Sequence, residues 1–225
     1  MSSYSIQEFM EKTERSERPS EMFGLQSERI LEIDLTDNVW AKMGTMIGYT
    51  GDIKFERERA LEHGVERAVK KTFTDEGGEL MKASGRGRLF LADQGKRVTI
   101  LDLGSQQLTV NGNDLLAFEP SIDWDIEFMR KAAGMMAGGL FNITLQGEGK
   151  IAVTTYFEPL TLPVTSDQPV FTDPSATVAW SGGLTPEFHT DINYRTFLGK
   201  GSGESIQMKF SGDGFVIVQP GFETE

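Results

Sequence analysis

SIQMKFSGDGFVIV, at residues 205–218, is the stretch that decides the fold of this chain. Two other stretches follow the same plan, ELMKASGRGRLFL at residues 79–91 and LFNITLQGEGKIAV at residues 140–153. Each has a strand-like segment on both sides of a Gly-x-Gly triplet, which predicts a β-hairpin with a tight turn. Glycine suits such turns because it adopts a positive φ without a steric penalty. The predicted structural turns are Gly85, Gly87, Gly147, Gly149, Gly212 and Gly214.

Each of the three tryptophans precedes one of these predicted hairpins. Trp40 comes before the first, Trp124 before the second and Trp180 before the third, and strand-like residues surround all three. We predict that they are structural aromatics that cover apolar surface of neighbouring strands. The shared order of tryptophan, loop and Gly-x-Gly hairpin predicts a threefold internal duplication. The alternative is an ordinary β-sandwich with glycine turns.

The predicted fold class is all-β, built from internally repeated β-modules with one or two short helical inserts. A polar N-terminal extension is expected over residues 1–26, because few apolar anchors occur there. A single β-domain is then expected over residues 27–225. Its three repeats are placed at about residues 27–100, 101–160 and 161–221.

The predicted helical inserts are residues 56–73 and residues 129–140. The first places apolar residues on one face of a helix, and the second is a short segment rich in Met, Ala and Gly. Two interpretations of the second insert stay open: a buried helix or loop, or an exposed contact patch for a partner or a lipid interface. The patch residues would be Met135, Met136 and Leu140.

Composition limits the classes of partner and compartment. The formal charge of −12 disfavours contact with phosphate backbones, so we expect no nucleic-acid binding. The absence of cysteine favours a reducing compartment, and no signal peptide or membrane-spanning run is evident. We therefore expect a cytoplasmic protein.

The sequence offers no constellation typical of catalysis. Its two histidines, His63 and His189, lack metal-ligand spacing, and no nucleophile elbow accompanies them. The glycine-rich segment at residues 199–205 lacks the order of a phosphate-binding loop and leads into a strand. We predict no catalytic residue, no cofactor-binding residue and no metal site, and hence no cofactor.

Seven stretches of the chain resemble the mitochondrial biogenesis family named for altered inheritance of mitochondria protein 24. The resemblance covers roughly residues 23–220. The stretches that carry it are FGLQSERILEIDL, KMGTMIGYTGDIKFE, GRGRLFLAD, LTVNGNDLLAF, GLFNITLQGEGKIAV, TVAWSGGL and GKGSGESIQMKFSGDGFVIVQP. This resemblance implies a prokaryotic member with a fold similar to the tryptophan RNA-binding attenuator protein, in the style of a double-stranded β-helix. It implies no catalytic residue, and a similar fold does not transfer RNA binding.

The expected function is that of a non-enzymatic scaffold or interaction protein, with an unknown protein partner or a membrane surface as possible contacts. The alternatives are a small-ligand binding module and an enzyme with an unrecognised site. We also expect a homo-oligomer, because a tandem array of β-modules leaves unpaired sheet edges at its two ends. The predicted edges are Ile30–Leu35 and Phe215–Val218. In the rival arrangement, a monomer folds its N-terminal extension over an edge.

Overall fold

The computed structural model describes residues 3–14, 18–57, 80–128, 141–191 and 205–220. Within these ranges the regular structure is one short helix and otherwise antiparallel strands, which confirms the all-β fold class. The elements are α1 (Ile6–Thr13), β1 (Phe23–Ser27), β2 (Ile30–Leu35), β3 (Asn38–Lys42), β4 (Met46–Arg57), β5 (Leu80–Leu91), β6 (Arg97–Asp102), β7 (Gln107–Asn111), β8 (Leu115–Phe118), β9 (Asp123–Phe128), β10 (Phe141–Gln146), β11 (Lys150–Thr155), β12 (Leu160–Val164), β13 (Val170–Thr172), β14 (Thr177–Ser181), β15 (Glu187–Asp191), β16 (Ser205–Phe210) and β17 (Gly214–Val218).

One scheme of strand pairing occurs three times along the chain. In module 2, spanning residues 97–155, β11 lies between β6 and β8, and β10 lies between β7 and β9. In module 3, residues 160–218, β17 lies between β12 and β14, and β16 lies between β13 and β15. Module 1, residues 30–91, repeats the scheme with two long strands, because β4 and β5 each replace a pair of shorter strands.

A backbone hydrogen bond repeats with the modules. A residue at or just after the end of the last strand of each module donates its N–H to the carbonyl of the residue just before β4, β8 or β14. The three bonds are Ala92 to Thr45 at 2.8 Å, Thr154 to Asp114 at 2.7 Å and Gln219 to Ala176 at 2.9 Å. The internal repetition is therefore visible in the backbone. Two points stay predictions: one repeated rotation superposes the three modules, and the repeat boundaries lie where the sequence places them.

The predicted Gly-x-Gly hairpins are wrong. The first triplet lies inside the continuous strand β5, and the strands beside the other two triplets pair with different neighbours and not with each other. At each triplet the chain instead bends and changes its pairing partners. The first glycine of each triplet has a positive φ, namely 134° at Gly85, 127° at Gly147 and 116° at Gly212. The sequence pattern marked the position of the bend. It did not identify the strands that pair on each side of the bend, because those strands lie far away in sequence.

Consecutive modules are joined by pairing between a trailing strand and a leading strand. The trailing strands are β3, β7 and β13, and the leading strands are residues 46–50 of β4, β8 and β14. Strand β3 pairs with β8, and β7 pairs with β14. The second of these junctions yields a six-stranded sheet in the order β12-β17-β14-β7-β10-β9, three strands from each module.

The tryptophans are buried but do not occupy equivalent places. Trp40 lies on a trailing strand, Trp180 on a leading strand, and Trp124 on β9, so their shared order in the sequence does not mark one repeated position. Trp40 and Trp124 meet with Phe118 at the junction of modules 1 and 2, with ring centroids 5.3 to 6.3 Å apart. Trp180 packs against Phe210 within module 3.

Helix α1 stands at the start of the described chain. Ser5 caps it by accepting a hydrogen bond from the Glu8 N–H, while the Glu8 carboxylate accepts one from the Ser5 N–H. Ile6, Phe9 and Met10 follow the spacing of an apolar face, yet no residue of the helix is buried. Helix α1 therefore does not cover a sheet edge in the way that the rival monomeric arrangement requires. The predicted inserts lie outside the described residues, except that Glu56 and Arg57 belong to β4.

Replacing Gly85 by alanine should destabilise the protein by at least about 2 kcal/mol, since a side chain is strained at this φ. A Cβ there would also overlap the backbone carbonyl oxygen of Asp52. Gly183→Ala is the control, because a Cβ at Gly183 meets open space and φ lies outside the left-handed region. Urea unfolding measures both, and equal losses in the two variants would contradict the assigned bend.

Replacing Trp124 by alanine should lower the free energy of unfolding by about 3–5 kcal/mol, the usual cost of emptying an aromatic site in a core. The ring packs against both Trp40 and Phe118, and its removal leaves a cavity at the junction of two modules. Leu25→Ala, at an exposed position of β1, serves as control. A loss below about 1 kcal/mol for Trp124→Ala would show that this cluster does not hold the junction.

Candidate functional site

Two edge strands stand at the ends of the module array, β4 at one end and β13 at the other. The strands predicted as edges are internal instead: β2 lies between β1 and β5, and β17 lies between β12 and β14. Among the described residues, β13 pairs only with β16, and β4 pairs only with β5. A leading strand and a trailing strand are thus left without the neighbour that the other modules supply.

The leading edge of module 1 is built like the two buried leading strands. All three strands carry a β-bulge at the same register, with Ile47, Leu116 and Val178 as the extra residues. Leu116 and Val178 are 0% and 1% exposed, whereas Ile47 is 56% exposed. The exposure of Ile47 follows from its place at the end of the array, because no preceding module covers it.

The aromatic residue two positions further on shows the same contrast. The equivalent residues are Tyr49, Phe118 and Trp180, which pair with Leu89, Ile151 and Val216 of their own modules. Phe118 and Trp180 are 0% and 2% exposed, and Tyr49 is 46% exposed. At the trailing end of the array, Phe171 of β13 is 51% exposed. Each end of the array therefore presents an aromatic side chain on an open strand.

A buried ion-pair network lies where modules 1 and 2 meet. The Lys96 Nζ is 2.9 Å from an Asp114 carboxylate oxygen and 3.4 Å from Asp93. The Lys42 Nζ lies 3.2 Å from Asp93 and donates to the Asn113 carbonyl oxygen at 2.9 Å. Two ammonium groups thus face two carboxylates, and the charges balance inside the fold.

Groups from module 2 and from the end of the chain complete this network. The Thr154 hydroxyl donates to Asp93 at 3.3 Å, and the Gln219 amide donates to both oxygens of Asp114 at 3.4 Å. The Gln219 side-chain oxygen in turn accepts the Tyr156 backbone N–H at 2.8 Å. The network therefore connects residues of modules 1 and 2 with the segment that leaves module 3.

Burial and charge act in opposite directions on Lys96. Desolvation by itself lowers the pKa of Lys96, but the carboxylates of Asp114 and Asp93 outweigh it and leave the pKa above its ordinary value. For Asp114, burial raises the pKa, and the Lys96 ammonium offsets only part of that effect. Lys96 thus stays charged over the neutral range, and its ammonium is the largest of the effects that lower the pKa of Asp114 against burial.

The remaining predicted site residues are placed as follows. Met135, Met136 and Leu140 lie outside the described residues, so the contact patch stays a prediction. His189 is exposed on β15, 3.4 Å from the Glu187 carboxylate, and its hydrogen bond holds the pKa of Glu187 below the ordinary value. No group of three metal-ligating side chains occurs in the part of the chain that the structure describes.

Sequence reasoning missed the buried network because three of its four charged residues, all except Lys42, stand in loops or turns. Asp93 and Lys96 belong to the segment ADQGK, and Asp114 to NGND, and both segments have the composition of exposed loops. The available signal was position: Asp93 follows an apolar strand closely, and Asp114 directly precedes the apolar run LLAF. Apart from Asp93 and Lys96, which are three residues apart, the partners lie between 17 and 105 residues apart in sequence and gave no local pattern.

A protein-family model matches nearly the whole chain. The model for the family described as Mitochondrial biogenesis AIM24 matches residues 22–221. The chain belongs to this family. The match begins just before β1 and ends after β17, so it covers all three modules and leaves out helix α1.

A solved structure shows the same fold. It is the crystal structure of protein SPYM3_0169 from Streptococcus pyogenes, with a TM-score of 0.67 and 22% sequence identity. The alignment covers 88% of this chain and 91% of that chain. The search of curated proteins found no match. In the described residues, no helix has the length and apolar character needed to cross a membrane.

Replacing Lys96 by methionine should destabilise the protein by about 3–5 kcal/mol, because buried carboxylates lose their main counter-charge. Chemical unfolding at neutral pH measures this loss. Because the folded pKa of Lys96 is raised, its contribution is complete below about pH 10.5 and disappears as pH rises through the folded pKa. The difference from wild type should therefore shrink at strongly alkaline pH.

The double variant Lys96→Met with Asp114→Asn provides the control for the ion pair. Removing both charges should recover part of the stability that Lys96→Met loses, since the neutral amide costs less to bury than an unpaired carboxylate. Additive losses in the double-mutant cycle would mean that the two groups do not interact.

Proposed function

We propose that this chain is a non-enzymatic scaffold or interaction protein whose contacts are made by the open ends of the module array. The observation that carries the proposal is the exposure of Ile47 and Tyr49 at positions that modules 2 and 3 bury. A strand edge with apolar side chains favours association, because its unpaired backbone groups and its side chains both gain from a partner.

The way in which the chain uses its buried charges supports a structural role for its interior. Lys96 and Asp114 are held by each other and by fixed neighbours, which favours stability over proton transfer to a bound molecule. Since the chain has no cysteine, a reducing compartment suits it, and we place the proposed role in the cytoplasm.

Affinity capture from a lysate of the source cells, with the membrane fraction retained, tests the interaction role. Tagged wild-type chain should retain a reproducible set of bound protein. Ile47→Ser should lose that set, since it removes an exposed apolar side chain from the leading edge. Retention of membrane vesicles instead of protein would assign the edge to a membrane surface and contradict a protein partner.

Leu160→Ser is the matched control for this experiment. Leu160 is about as exposed as Ile47 and also lies on a strand, β12, but it has no part in a junction between modules. We expect Leu160→Ser to bind like wild type. If neither variant alters capture, or if both do so equally, the leading edge is not the contact surface.

A further inference from the structure

The two ends of the array carry complementary halves of one sheet. The complete six-stranded sheet takes β12, β17 and β14 from module 3, and β7, β10 and β9 from module 2. In module 1, the equivalent of the first half is β2, β5 and β4, and among the described residues no second half pairs with β4. In module 3, the equivalent of the second half is the separate sheet of β13, β16 and β15, and no first half pairs with β13 there. Placing one half beside the other would reproduce a sheet that the chain already forms.

The register of this pairing follows from the two internal junctions. Ala117 and Ala179 on the leading strands face Ala41 and Val110 on the trailing strands. By the pairing within each module, Gly48 is equivalent to these alanines. On the trailing strands, Thr172 pairs with Met208, Ala41 with Met81 and Val110 with Ile143. Each of these partners lies four residues before the first glycine of its Gly-x-Gly triplet, so Thr172 is equivalent to Ala41 and Val110.

The same register places Tyr49 opposite Phe171 and Thr50 opposite Val170. None of these residues is charged, so the expected contact brings no like charges together. Both aromatic side chains are about half exposed in the single chain, and both belong to strands with an open edge.

An aromatic cluster at the internal junction shows what the open edge lacks. At the junction of modules 1 and 2, Trp40 of the trailing strand packs on Phe118 and Trp124, which contact each other edge to face at 6.0 Å. At the open leading edge, Tyr49 and Phe55 occupy the equivalent positions and contact each other edge to face at 5.3 Å. Phe171 is the trailing-strand residue equivalent to Trp40.

We propose that a second copy of this chain occupies the open edge, with its β13 paired to β4 so that Phe171 packs on Tyr49 and Phe55. This inference rests on the proposed interaction role and specifies the partner. The interface is head-to-tail, because a trailing strand of one chain meets a leading strand of the other, so each chain of a pair keeps one free edge of the kind that it did not use. Such an interface closes into a ring or continues as a filament, according to the rotation between copies.

Complementation between two blocked chains tests this geometry with purified full-length protein. Tyr49→Lys blocks the leading edge and Phe171→Lys blocks the trailing edge, since an unpaired interfacial charge should weaken association at least about tenfold. By light scattering, wild type should exceed the 25.0 kDa of one chain. Each variant alone should measure one chain, and an equimolar mixture should measure two, through the one intact edge of each.

The outcomes separate the possible interfaces. If Phe171→Lys is monomeric while Tyr49→Lys still dimerises, the contact is a symmetric one between trailing edges, and the proposal fails. The reverse result would indicate a symmetric contact between leading edges. A monomeric wild type at 100 micromolar would also overturn the proposal, yet a partner captured from lysate would then leave the interaction role intact. Thermal unfolding of each variant checks that it is folded.

Cross-linking tests the register independently of the lysine variants. Because the chain has no cysteine, Tyr49→Cys and Phe171→Cys each introduce a single thiol. A mixture of the two chains with a short bis-maleimide should give a covalent heterodimer. A mixture of Tyr49→Cys with Thr161→Cys should not, because Thr161 lies on β12, which belongs to a different sheet from β13. A chain carrying both Tyr49→Cys and Phe171→Cys that cross-links only within itself would show that the array closes on its own ends and would overturn the proposal.

Discussion

A β-strand needs hydrogen-bond partners along both edges if it is to be buried, and the way in which the modules join depends on this requirement. A single module provides too few neighbours for its leading and trailing strands. The trailing strands of modules 1 and 2 are therefore completed by the following module, as β3 is by β8 and β7 is by β14. One core cluster spans these junctions, and in it Trp40, Phe118 and Trp124 come together from two modules.

A buried ion-pair network also connects modules 1 and 2 at their junction. Lys96 and Asp93 follow the last strand of module 1, and Asp114 precedes the leading strand of module 2. Burying these groups costs desolvation energy, which only well-placed opposite charges offset. The network consequently favours one relative placement of the modules over others that would bury a comparable apolar area.

The sequence predicted the fold class and the repetition because both leave local traces. Alternating strands and three Gly-x-Gly triplets are visible within about 14 residues, and the positive φ at Gly85, Gly147 and Gly212 gives the triplets a shared physical cause. Partner strands leave no such trace, so bends were interpreted as hairpins. The tryptophans were misinterpreted for a related reason. Their order repeats in the sequence, although Trp40, Trp124 and Trp180 lie on strands that occupy different places in the three modules. The ion-pair network was missed because turn residues such as Asp114 are ordinarily exposed.

The division of the six-stranded sheet between modules 2 and 3 has a consequence for folding. The segment that repeats along the chain is not a segment that can fold alone, because each of the two larger sheets is shared between neighbouring modules. Loss of one module would expose the apolar faces of two half-sheets, so the chain should unfold as a cooperative whole. Evolution by adding or deleting single modules is then constrained, since each change must rejoin a leading strand to a trailing strand in the same register.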